Sequence, residues 1–429
     1  MNIEPTSLCI NQNNLKTAER IMLLEMSVGG HYPSYINHLI SYWCEHKLVG
    51  SLDIVVSPQF FEQHADVVAN ADKNGGEYIN FVSISTQEKD SLKPRTSSIN
   101  RCWRYFQEWN LLCKYAKEIQ ATHCLIMMID VFQFPLAFGQ KSPCPVSGIY
   151  FRPSFHYRYF TNYQVTHQNT WQQWREKFIL YLALKNQQLK NIFCLDPFAI
   201  KHIEKFSSRV KAVYLPDPVK IVPQDNFEVA HFKAQLEINP GRKIFLLLGQ
   251  LNRRRGIYQL LEAIKLLPSI LCEKLCLVLI VNGDDIEARQ IESQIQSICQ
   301  SQPVQIIRNY QYVTDQEVYL YHQLTDVVLA IHQKHIGMSG SLVLAAAYQK
   351  PVLSSNYGLM GEIVTQYNLG LTIDSTIPQE ITRGLQQFLS TPSDSIGNRN
   401  KMKEFAQQNS SDNFASTIFK GLDSYASNH

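Results

Sequence analysis

The sequence predicts an α/β protein with two Rossmann-like β/α/β domains that face a central cleft. Three features of the sequence predict this fold. Short apolar runs alternate with amphipathic stretches, glycine-containing or polar turns follow several of these runs, and a proline-rich break near residue 218 divides the series into two halves. Such alternation is typical of parallel sheets covered by helices, whose ligands bind at the carboxyl ends of the strands.

The first half begins with a strand, a glycine turn and a helix. The strand is predicted at Arg20–Met26, the turn at Gly29-Gly30-His31, and helical spacing of apolar residues begins at Pro33. A longer helix is predicted at Arg101–Gln120. Further buried strands are predicted at Leu52–Val56, Ile79–Ile84, Cys124–Asp130, Asn191–Leu195 and Ala212–Leu215.

The second half repeats this alternation after Leu215-Pro216-Asp217-Pro218, where the two prolines break regular structure. Its strands are predicted at Ile244–Leu248, Leu275–Val281, Val304–Ile307, Asp326–Ile331 and Pro351–Ser354. Its helices are predicted at Ile257–Leu267, Ile286–Gln300, Asp315–Leu324 and Leu342–Tyr348. We therefore predict an N-terminal domain over 1–218, a second domain over 219–400, and a C-terminal helix over 401–429 that packs back across the first domain.

The composition excludes several classes of protein. The chain has 429 residues, of which 45% are hydrophobic and 18% charged, as in ordinary globular proteins. Its 40 basic and 37 acidic side chains give a net charge of +3, too small to indicate nucleic acid as the partner. No apolar run approaches the roughly 18 residues of a membrane span. The ten scattered cysteines indicate reduced thiols, so we expect a cytoplasmic protein, with peripheral membrane contact left open.

Two turns have residues suited to phosphate. Gly29-Gly30-His31 lets main-chain N–H groups approach a phosphate at the start of a helix, although a tight turn alone would also explain it. The turn Gly249–Gly256 contains Arg253, Arg254 and Arg255, whose planar guanidinium groups match phosphate oxygens. A solvated basic loop is the alternative for this second turn.

A third turn combines small residues with a helix start. Gly337, Ser339, Gly340 and Ser341 precede a predicted helix, so main-chain amides and serine hydroxyls can form an anion pocket. Capping of the helix by serine explains the same pattern. Glu362 follows in a second glycine-rich turn and can accept hydrogen bonds from sugar hydroxyls, or simply stabilise the first turn of a helix.

An acid and an aromatic segment complete the candidates of the first half. Asp130 is predicted at the carboxyl end of a buried strand, where it either caps a helix or serves catalysis. Tyr150–Trp174 contains nine aromatic residues in 25 positions, which either stack on an acceptor or form a packed edge. We take the following as candidate acceptor-binding residues: Phe155, His156, Tyr157 and Tyr159. The histidines show no metal-binding spacing, so no metal site is expected.

The second half resembles the donor domain of GT-B glycosyltransferases of family 4, the retaining, glycogen-synthase-like group. The resemblance rests on Ile244–Gly249 with Arg255-Gly256, on Val281–Gly283, and on residues 312–331. It is closest between Gly337 and Val364, where Lys350-Pro351-Val352 and Glu362-Ile363-Val364 match. The turn Gly29-Gly30-His31 fits the N-terminal glycine loop of the group.

The resemblance implies a role for each matching residue. Arg255 falls on the basic residue that clamps the donor diphosphate, and Arg253 or Arg254 substitutes for a second basic position that Gln250 occupies. Asp130, His31 and Arg255 are the catalytic candidates. The candidate donor-binding residues are Gly29, Gly30, Gly249, Arg253, Arg254, Arg255, Asn282, Gly283, Tyr312, Val313, Gly337, Ser339, Gly340, Ser341 and Glu362. The group has two glutamates eight positions apart, and counting back from Pro351 places Ile336 and Leu344 there.

The function implied by the resemblance is transfer of a sugar from a UDP- or GDP-sugar to a small-molecule, glycan or lipid acceptor. Retention of anomeric configuration and independence of metal ions are implied as well, and no cofactor is expected besides the nucleotide-sugar cosubstrate. Two other functions stay open. The missing glutamates are compatible with a non-catalytic subunit that binds sugar nucleotides, and a GT-B fold also suits a nucleotide-sugar epimerase.

Overall fold

The computed structural model describes residues 19–160, 163, 167–219, 226–283 and 285–426. Within them the chain forms two parallel β-sheets with helices between successive strands. The strands of the first sheet are β1 Arg20–Glu25, β2 Ser51–Val56, β3 Ile79–Ser83, β4 His123–Ile126, β5 Val146–Tyr150, β6 Leu189–Cys194 and β7 Lys211–Tyr214. Those of the second are β8 Lys243–Gln250, β9 Leu275–Asn282, β10 Gln305–Asn309, β11 Val327–Ala330, β12 Val352–Ser355 and β13 Gly370–Ile373.

Helices connect successive strands in both sheets, and the last three helices follow the final strand. The first series comprises α1 Tyr32–His46, α2 Pro58–Gln63, α3 Ala65–Gly75, α4 Thr86–Ser91, α5 Ser98–Ile119, α6 Ile129–Phe138, α7 His167–Ala183, α8 Ile200–Glu204 and α9 Asn226–Gln235. The second comprises α10 Ile257–Lys265, α11 Ser269–Cys272, α12 Asp285–Ser301, α13 Asp315–Leu324, α14 Gly340–Ala347, α15 Gly358–Gln366, α16 Pro378–Ser390, α17 Arg399–Gln408 and α18 Ser411–Ala426.

Both sheets reverse their strand order near the middle. The order is β3-β2-β1-β4-β5-β6-β7 in the first sheet and β10-β9-β8-β11-β12-β13 in the second. The reversals lie between β1 and β4 and between β8 and β11, and in such sheets the crevice for a ligand opens where the order reverses. The loops that follow these four strands are therefore the places where functional side chains meet.

The strands form because their apolar runs are buried on both faces. In β9, the seven residues from Leu275 to Val281 are all buried, as expected for a central strand of a covered parallel sheet. Helix starts are also encoded locally. Thr314 and Glu317 form a reciprocal capping box at the start of α13, and Pro33 occupies the first turn of α1.

The predicted strand Cys124–Asp130 is wrong at its carboxyl end. The strand β4 ends at Ile126, and Asp130 is the second residue of α6. The sequence conceals this boundary because α6 is itself apolar and buries Ile129 and Phe132, so no polar turn residue separates the strand from the helix. Asp130 lies in the first turn of α6, where the partial positive charge of the helix N-terminus favours a carboxylate.

The C-terminal region contains two helices where one was expected. Asn409 lies between α17 and α18, with its main-chain N–H bonded to Phe405 O and its side-chain Oδ1 accepting from the Asp217 N–H at 2.9 Å. Asn409 is fully buried, and the next residue, Ser410, forms an isolated bridge with Val219, so the helical series is interrupted there. The chain divides into two compact units, one comprising 19–148, 186–191 and 420–426, the other the described parts of Ile149–Lys185 and Ile192–Phe419.

Within the described ranges no helix combines the length and apolar character needed to cross a bilayer.

Candidate functional site

The reversal point of the second sheet contains a partly buried arginine. The three arginines after β8 form one turn of 3-10 helix, Arg253–Arg255, of which Arg253 and Arg254 are exposed and Arg255 is directed inward. Arg255 Nη1 donates to His332 Nε2 at 2.7 Å and lies 3.4 Å from Ser341 Oγ. His332 follows β11 and Ser341 lies in α14, so Arg255 connects the loop after β8 to both elements.

The position of Arg255 depends on two glycines. The guanidinium lies against Gly249 (φ +146°), where a Cβ atom would overlap it. Gly256 has a φ of +77°, and a Cβ atom there would overlap the main-chain oxygen of Ile331. The same turn is tied to the next loop by the Gln333 N–H, which donates to the Arg254 carbonyl at 2.7 Å. Both glycines therefore have a steric reason to lack side chains.

The charges at this point are arranged for an anion. Burial and, to a smaller extent, the charge of Arg254 together lower the pKa of Arg255 to about 10, yet the guanidinium stays protonated at neutral pH. Burial and the neighbouring Arg255 hold the pKa of His332 well below its usual range, so this ring is neutral and accepts the bond from Arg255. A desolvated cation beside neutral imidazole suits a phosphate group, since its attraction is less screened than in water.

A second positive group is Arg152, which the sequence analysis did not select for the donor site. Burial lowers the pKa of His335, whose Nε2 lies 3.1 Å from Met338 O, and three guanidinium groups lower it further. These belong to Arg254, Arg255 and Arg152. Arg152 is exposed and lies beside Gly337. In the sequence it lies within the aromatic segment, and its position just after β5 was hidden because that strand was not predicted.

The turn before α14 is held from the aromatic segment. Gly337 has a φ of +101°, and its N–H donates to Tyr157 Oη at 3.0 Å. Ser339 occupies the N-cap position without a side-chain capping bond, and Gly340 is exposed with open space at its Cα. The first turn of α14 contains no acid, so its partial positive charge adds to that of the arginines.

The remaining donor candidates lie at the same edge of the sheet in different settings. Asn282 ends β9 and its carbonyl accepts from the Leu251 N–H at 2.7 Å, while Gly283 has no room for a Cβ beside Leu251. Tyr312 is 79% exposed, but Val313 packs on the hydrophobic cluster of β8 and β9. Glu362 is the fifth residue of α15, so it lies beyond the first helical turn where it was expected.

The first sheet presents its candidates at its own reversal point. Gly30 has a φ of +75° whereas Gly29 does not, so only one of the two glycines is required by the turn. His31 is exposed and occupies the N-cap of α1 without a side-chain capping bond. The next residue, Tyr32, donates its hydroxyl to the Met128 sulfur at 2.8 Å, which joins this loop to the one before Asp130. The geometry thus brings the His31 and Asp130 loops together.

The carboxyl end of β1 also holds an acid that the sequence analysis did not select. Glu25 is 8% exposed, and its Oε1 accepts from the Ser27 N–H at 2.7 Å. The pKa of Glu25 is raised to about 7, chiefly by burial and also by the carboxylate of Glu108, while hydrogen bonds from Ser27 and the charge of Arg95 oppose the shift. In the sequence, Glu25 is marked only by its position, as an acidic residue at the end of an otherwise apolar run.

The raised pKa of Glu25 predicts a pH-dependent free energy of unfolding. Between pH 4.5, the ordinary pKa of a glutamate, and pH 7, folded Glu25 keeps a proton that the unfolded chain has released. The free energy of unfolding therefore declines as the pH rises through this range. A shift of about 2.5 units corresponds to roughly 3 kcal/mol. Urea unfolding across this range should show the decline in the unmodified protein and in Glu118→Gln, an exposed control, but not in Glu25→Gln. Parallel profiles in all three proteins would contradict the assignment.

The acceptor candidates are mostly buried. Phe155, His156 and Tyr157 are at most 5% exposed, whereas Tyr159 is 60% exposed. His156 Nε2 lies 3.1 Å from Asp196 Oδ2 in a buried pair, and Tyr157 packs in the hydrophobic cluster of α14 and α15. These contacts favour the packed alternative for the three buried rings, and they leave Tyr159 as the candidate with an accessible surface.

Comparison with known proteins identifies the type of domain in the second half. Residues 229–409 match the family described as Glycosyl transferases group 1. A search of curated protein sequences finds no significant match. The chain therefore carries a glycosyltransferase group 1 domain, and the prediction that it is a glycosyltransferase is confirmed.

Solved structures with low sequence identity share the whole architecture. Sucrose-phosphate synthase from Thermosynechococcus elongatus is 14% identical with a TM-score of 0.68, covering 96% of this chain and 100% of that one. Anabaena HepE in complex with UDP-glucose is 13% identical with a TM-score of 0.63, covering 95% and 100%. The UDP-forming α,α-trehalose-phosphate synthase from Burkholderia xenovorans is 13% identical with a TM-score of 0.61, covering 94% and 99%. The predicted fold, two Rossmann-like domains of the GT-B type, is confirmed.

Proposed function

We propose that this protein transfers a sugar from a nucleoside-diphosphate sugar to an acceptor hydroxyl, with retention of anomeric configuration and without a metal ion. The observation that carries the proposal is the inward-directed Arg255 at the reversal point of the second sheet, beside the N-terminus of α14. Departure of a nucleoside diphosphate requires stabilisation of its growing negative charge. A fixed guanidinium and main-chain amides supply that stabilisation.

Each element of this site has a task in the reaction. Arg255 binds the diphosphate oxygens and neutralises the charge that develops on the leaving group. The Ser339, Gly340 and Ser341 main-chain amides bind the same group at the helix N-terminus. Arg152 and Arg254 increase the local positive potential, as their effect on the pKa of His335 indicates. Glu362 binds donor hydroxyls from α15, and Asn282, Gly283 and Tyr312 border the nucleotide.

The first sheet supplies the groups that face the acceptor. The joined loops of His31 and Asp130 lie at its reversal point and can orient the acceptor hydroxyl. In the other compact unit, Tyr159 is the acceptor candidate whose ring has an exposed surface. HepE was solved with UDP-glucose, so a UDP-sugar is the first donor to test. The scattered free thiols of the described chain agree with a cytoplasmic enzyme.

The proposal is tested by supplying the purified protein with UDP-, GDP- and ADP-sugars and a panel of acceptors. We expect acceptor-dependent release of nucleoside diphosphate with repeated turnover, unchanged by EDTA, and a product linkage of the donor's anomeric configuration by NMR. Absence of both donor binding below about 1 mM (roughly −4 kcal/mol) and nucleotide release would contradict it. Loss of turnover in EDTA would contradict only the part of the proposal that excludes a metal ion.

One observation favours a second candidate, a subunit that binds sugar nucleotides without catalysis. Ile336 and Leu344 occupy the places of the two glutamates of the resembling family, and Ile336 packs on the cluster of α14 and α15. An apolar residue there cannot hydrogen-bond the sugar. Tight binding of a sugar nucleotide without turnover for any acceptor would favour this candidate, whereas a changed free sugar nucleotide would indicate an epimerase.

A further inference from the structure

One helix presents a row of large aromatic side chains to water. Trp171, Trp174, Phe178 and Tyr181 of α7 are 62%, 62%, 49% and 40% exposed. At 100° per residue, these four positions fall within about 80° of the helix circumference. We call them the aromatic face of α7. The rings of Trp174 and Phe178 are parallel at 5.7 Å between centroids, so the row is a continuous apolar surface.

The orientation of α7 is fixed by its opposite side. Leu180 and Ala183 are each 1% exposed, and Gln173 is buried. Glu176 accepts from Tyr150 Oη at 2.6 Å and from Ser154 Oγ at 2.5 Å. A buried apolar stripe and a partly buried, hydrogen-bonded carboxylate therefore attach one side of α7 to the protein. The aromatic face points away from that attachment, and such exposed aromatic surface marks an interaction site.

Cations flank the aromatic face. Arg175, Lys177 and Lys185 are exposed, and the Arg175 guanidinium and the Lys185 ammonium lie 5.3 Å and 4.6 Å from the ring centroids of Trp171 and Tyr181. The remaining charge of the helix, Glu176, is partly buried and used internally. The exposed charge of α7 is thus entirely positive.

The positive charge extends to the neighbouring elements. Lys177 lies 5.3 Å from the ring centroid of Phe206. Tyr159 stacks on His202 at 4.9 Å, with the Arg158 guanidinium 4.8 Å from its ring. Burial lowers the pKa of His202, and the nearby ammonium groups of Lys201 and Lys205 lower it as well. The aromatic face and this basic cluster belong to the same compact unit.

We propose that the aromatic face of α7 docks on an anionic lipid bilayer. Tryptophan and tyrosine favour the bilayer interface, and lysine and arginine reach the phosphate headgroups while their stems cover apolar surface. A second copy of this chain is a poorer occupant, because a symmetric contact would bring the cations of one copy against those of the other. The arrangement fits an enzyme that works at a membrane surface without crossing it.

The test is flotation of the full-length protein with phosphatidylcholine vesicles that contain or lack phosphatidylserine. We expect binding to the anionic vesicles, weakened at 0.5 M salt since such a concentration screens charges beyond about 4 Å. The double variant Trp171→Ser/Trp174→Ser should bind about tenfold more weakly or worse, with an unchanged thermal midpoint. Tyr78→Ser, which removes an equally exposed aromatic ring (62%) of the other unit, serves as the matched control.

Several results would overturn the proposal. Equal binding of the double variant and the unmodified protein would do so, as would an equal loss in Tyr78→Ser. Binding to a single-stranded oligonucleotide with no binding to vesicles would instead indicate a nucleic-acid surface. A concentration-dependent dimer in sedimentation, abolished by the double variant, would assign the face to a second copy. These experiments measure binding and not sugar transfer, so their outcome does not depend on whether the proposed activity is correct.

Discussion

Replacement of Arg255 by alanine is expected to lower kcat/KM for sugar transfer by about 100-fold or more, roughly 2.7 kcal/mol of transition-state stabilisation. The reason is geometric, because Arg255 is the arginine of its turn that is directed inward, toward His332 and Ser341. If the proposed function holds, its positive charge stabilises the leaving diphosphate more in the transition state than in the bound donor. Steady-state kinetics with the donor found in the panel above measure the effect.

Two further arginine variants distinguish the loss of Arg255 from the loss of any positive charge. Arg253→Ala removes an exposed side chain of the same turn and should cost much less than Arg255→Ala. Arg289→Ala removes an exposed arginine of α12 outside the candidate site and should leave kcat/KM unchanged. Thermal unfolding of each variant checks that the fold is retained. Equal kinetic losses in Arg253→Ala and Arg255→Ala would show that the inward position of Arg255 has no special role.

Replacement of Gly256 by alanine is expected to destabilise the protein by about 3 kcal/mol. Two effects add at this position. The φ of +77° is unfavourable for any residue with a Cβ, and that Cβ would overlap the main-chain oxygen of Ile331. Relief of the overlap would move the turn that places Arg255, so transfer activity should fall as well. Urea unfolding and steady-state kinetics measure the two effects.

Gly241 provides a control with the same backbone strain and no overlap. Its φ is +82°, and no atom lies within 4 Å of a Cβ built there. Gly241→Ala should therefore cost only the conformational term of about 1 kcal/mol and leave transfer activity unchanged. If the two alanine variants lose the same stability, the contact with Ile331 does not constrain the turn.

The elements that could be predicted are those whose pattern is local. β9 is a buried apolar run, α13 has capping residues at its start, and the turn after β8 begins and ends in glycine, so each was predicted within a few residues. β5 was not predicted, because Ser147 and Gly148 interrupt its short run. The boundary before Asp130 was missed because strand and helix are both apolar.

The candidate site could be predicted only in part for a related reason. Arg253, Arg254 and Arg255 are equivalent in the sequence, yet the 3-10 turn directs one inward and leaves two in solvent. Arg152 was not selected because it lies some 180 positions before Gly337, and no local pattern relates the two. Phe155, His156 and Tyr157 were selected because they lie in an aromatic-rich segment. They are buried, so packing explains why the sequence has large rings there.

The sequence by itself determined the class of fold, most strands of both series and the positions of the candidate turns, because apolar periodicity and turn residues act over a few positions. The tertiary structure decided which of those turns meet. The order of strands in each sheet places the loop of β8 beside that of β11, and the loop of β1 beside that of β4. Strand order depends on how helices pack across a sheet, a property of contacts distant in sequence, and so Arg255 meets His332 through the fold rather than through any motif.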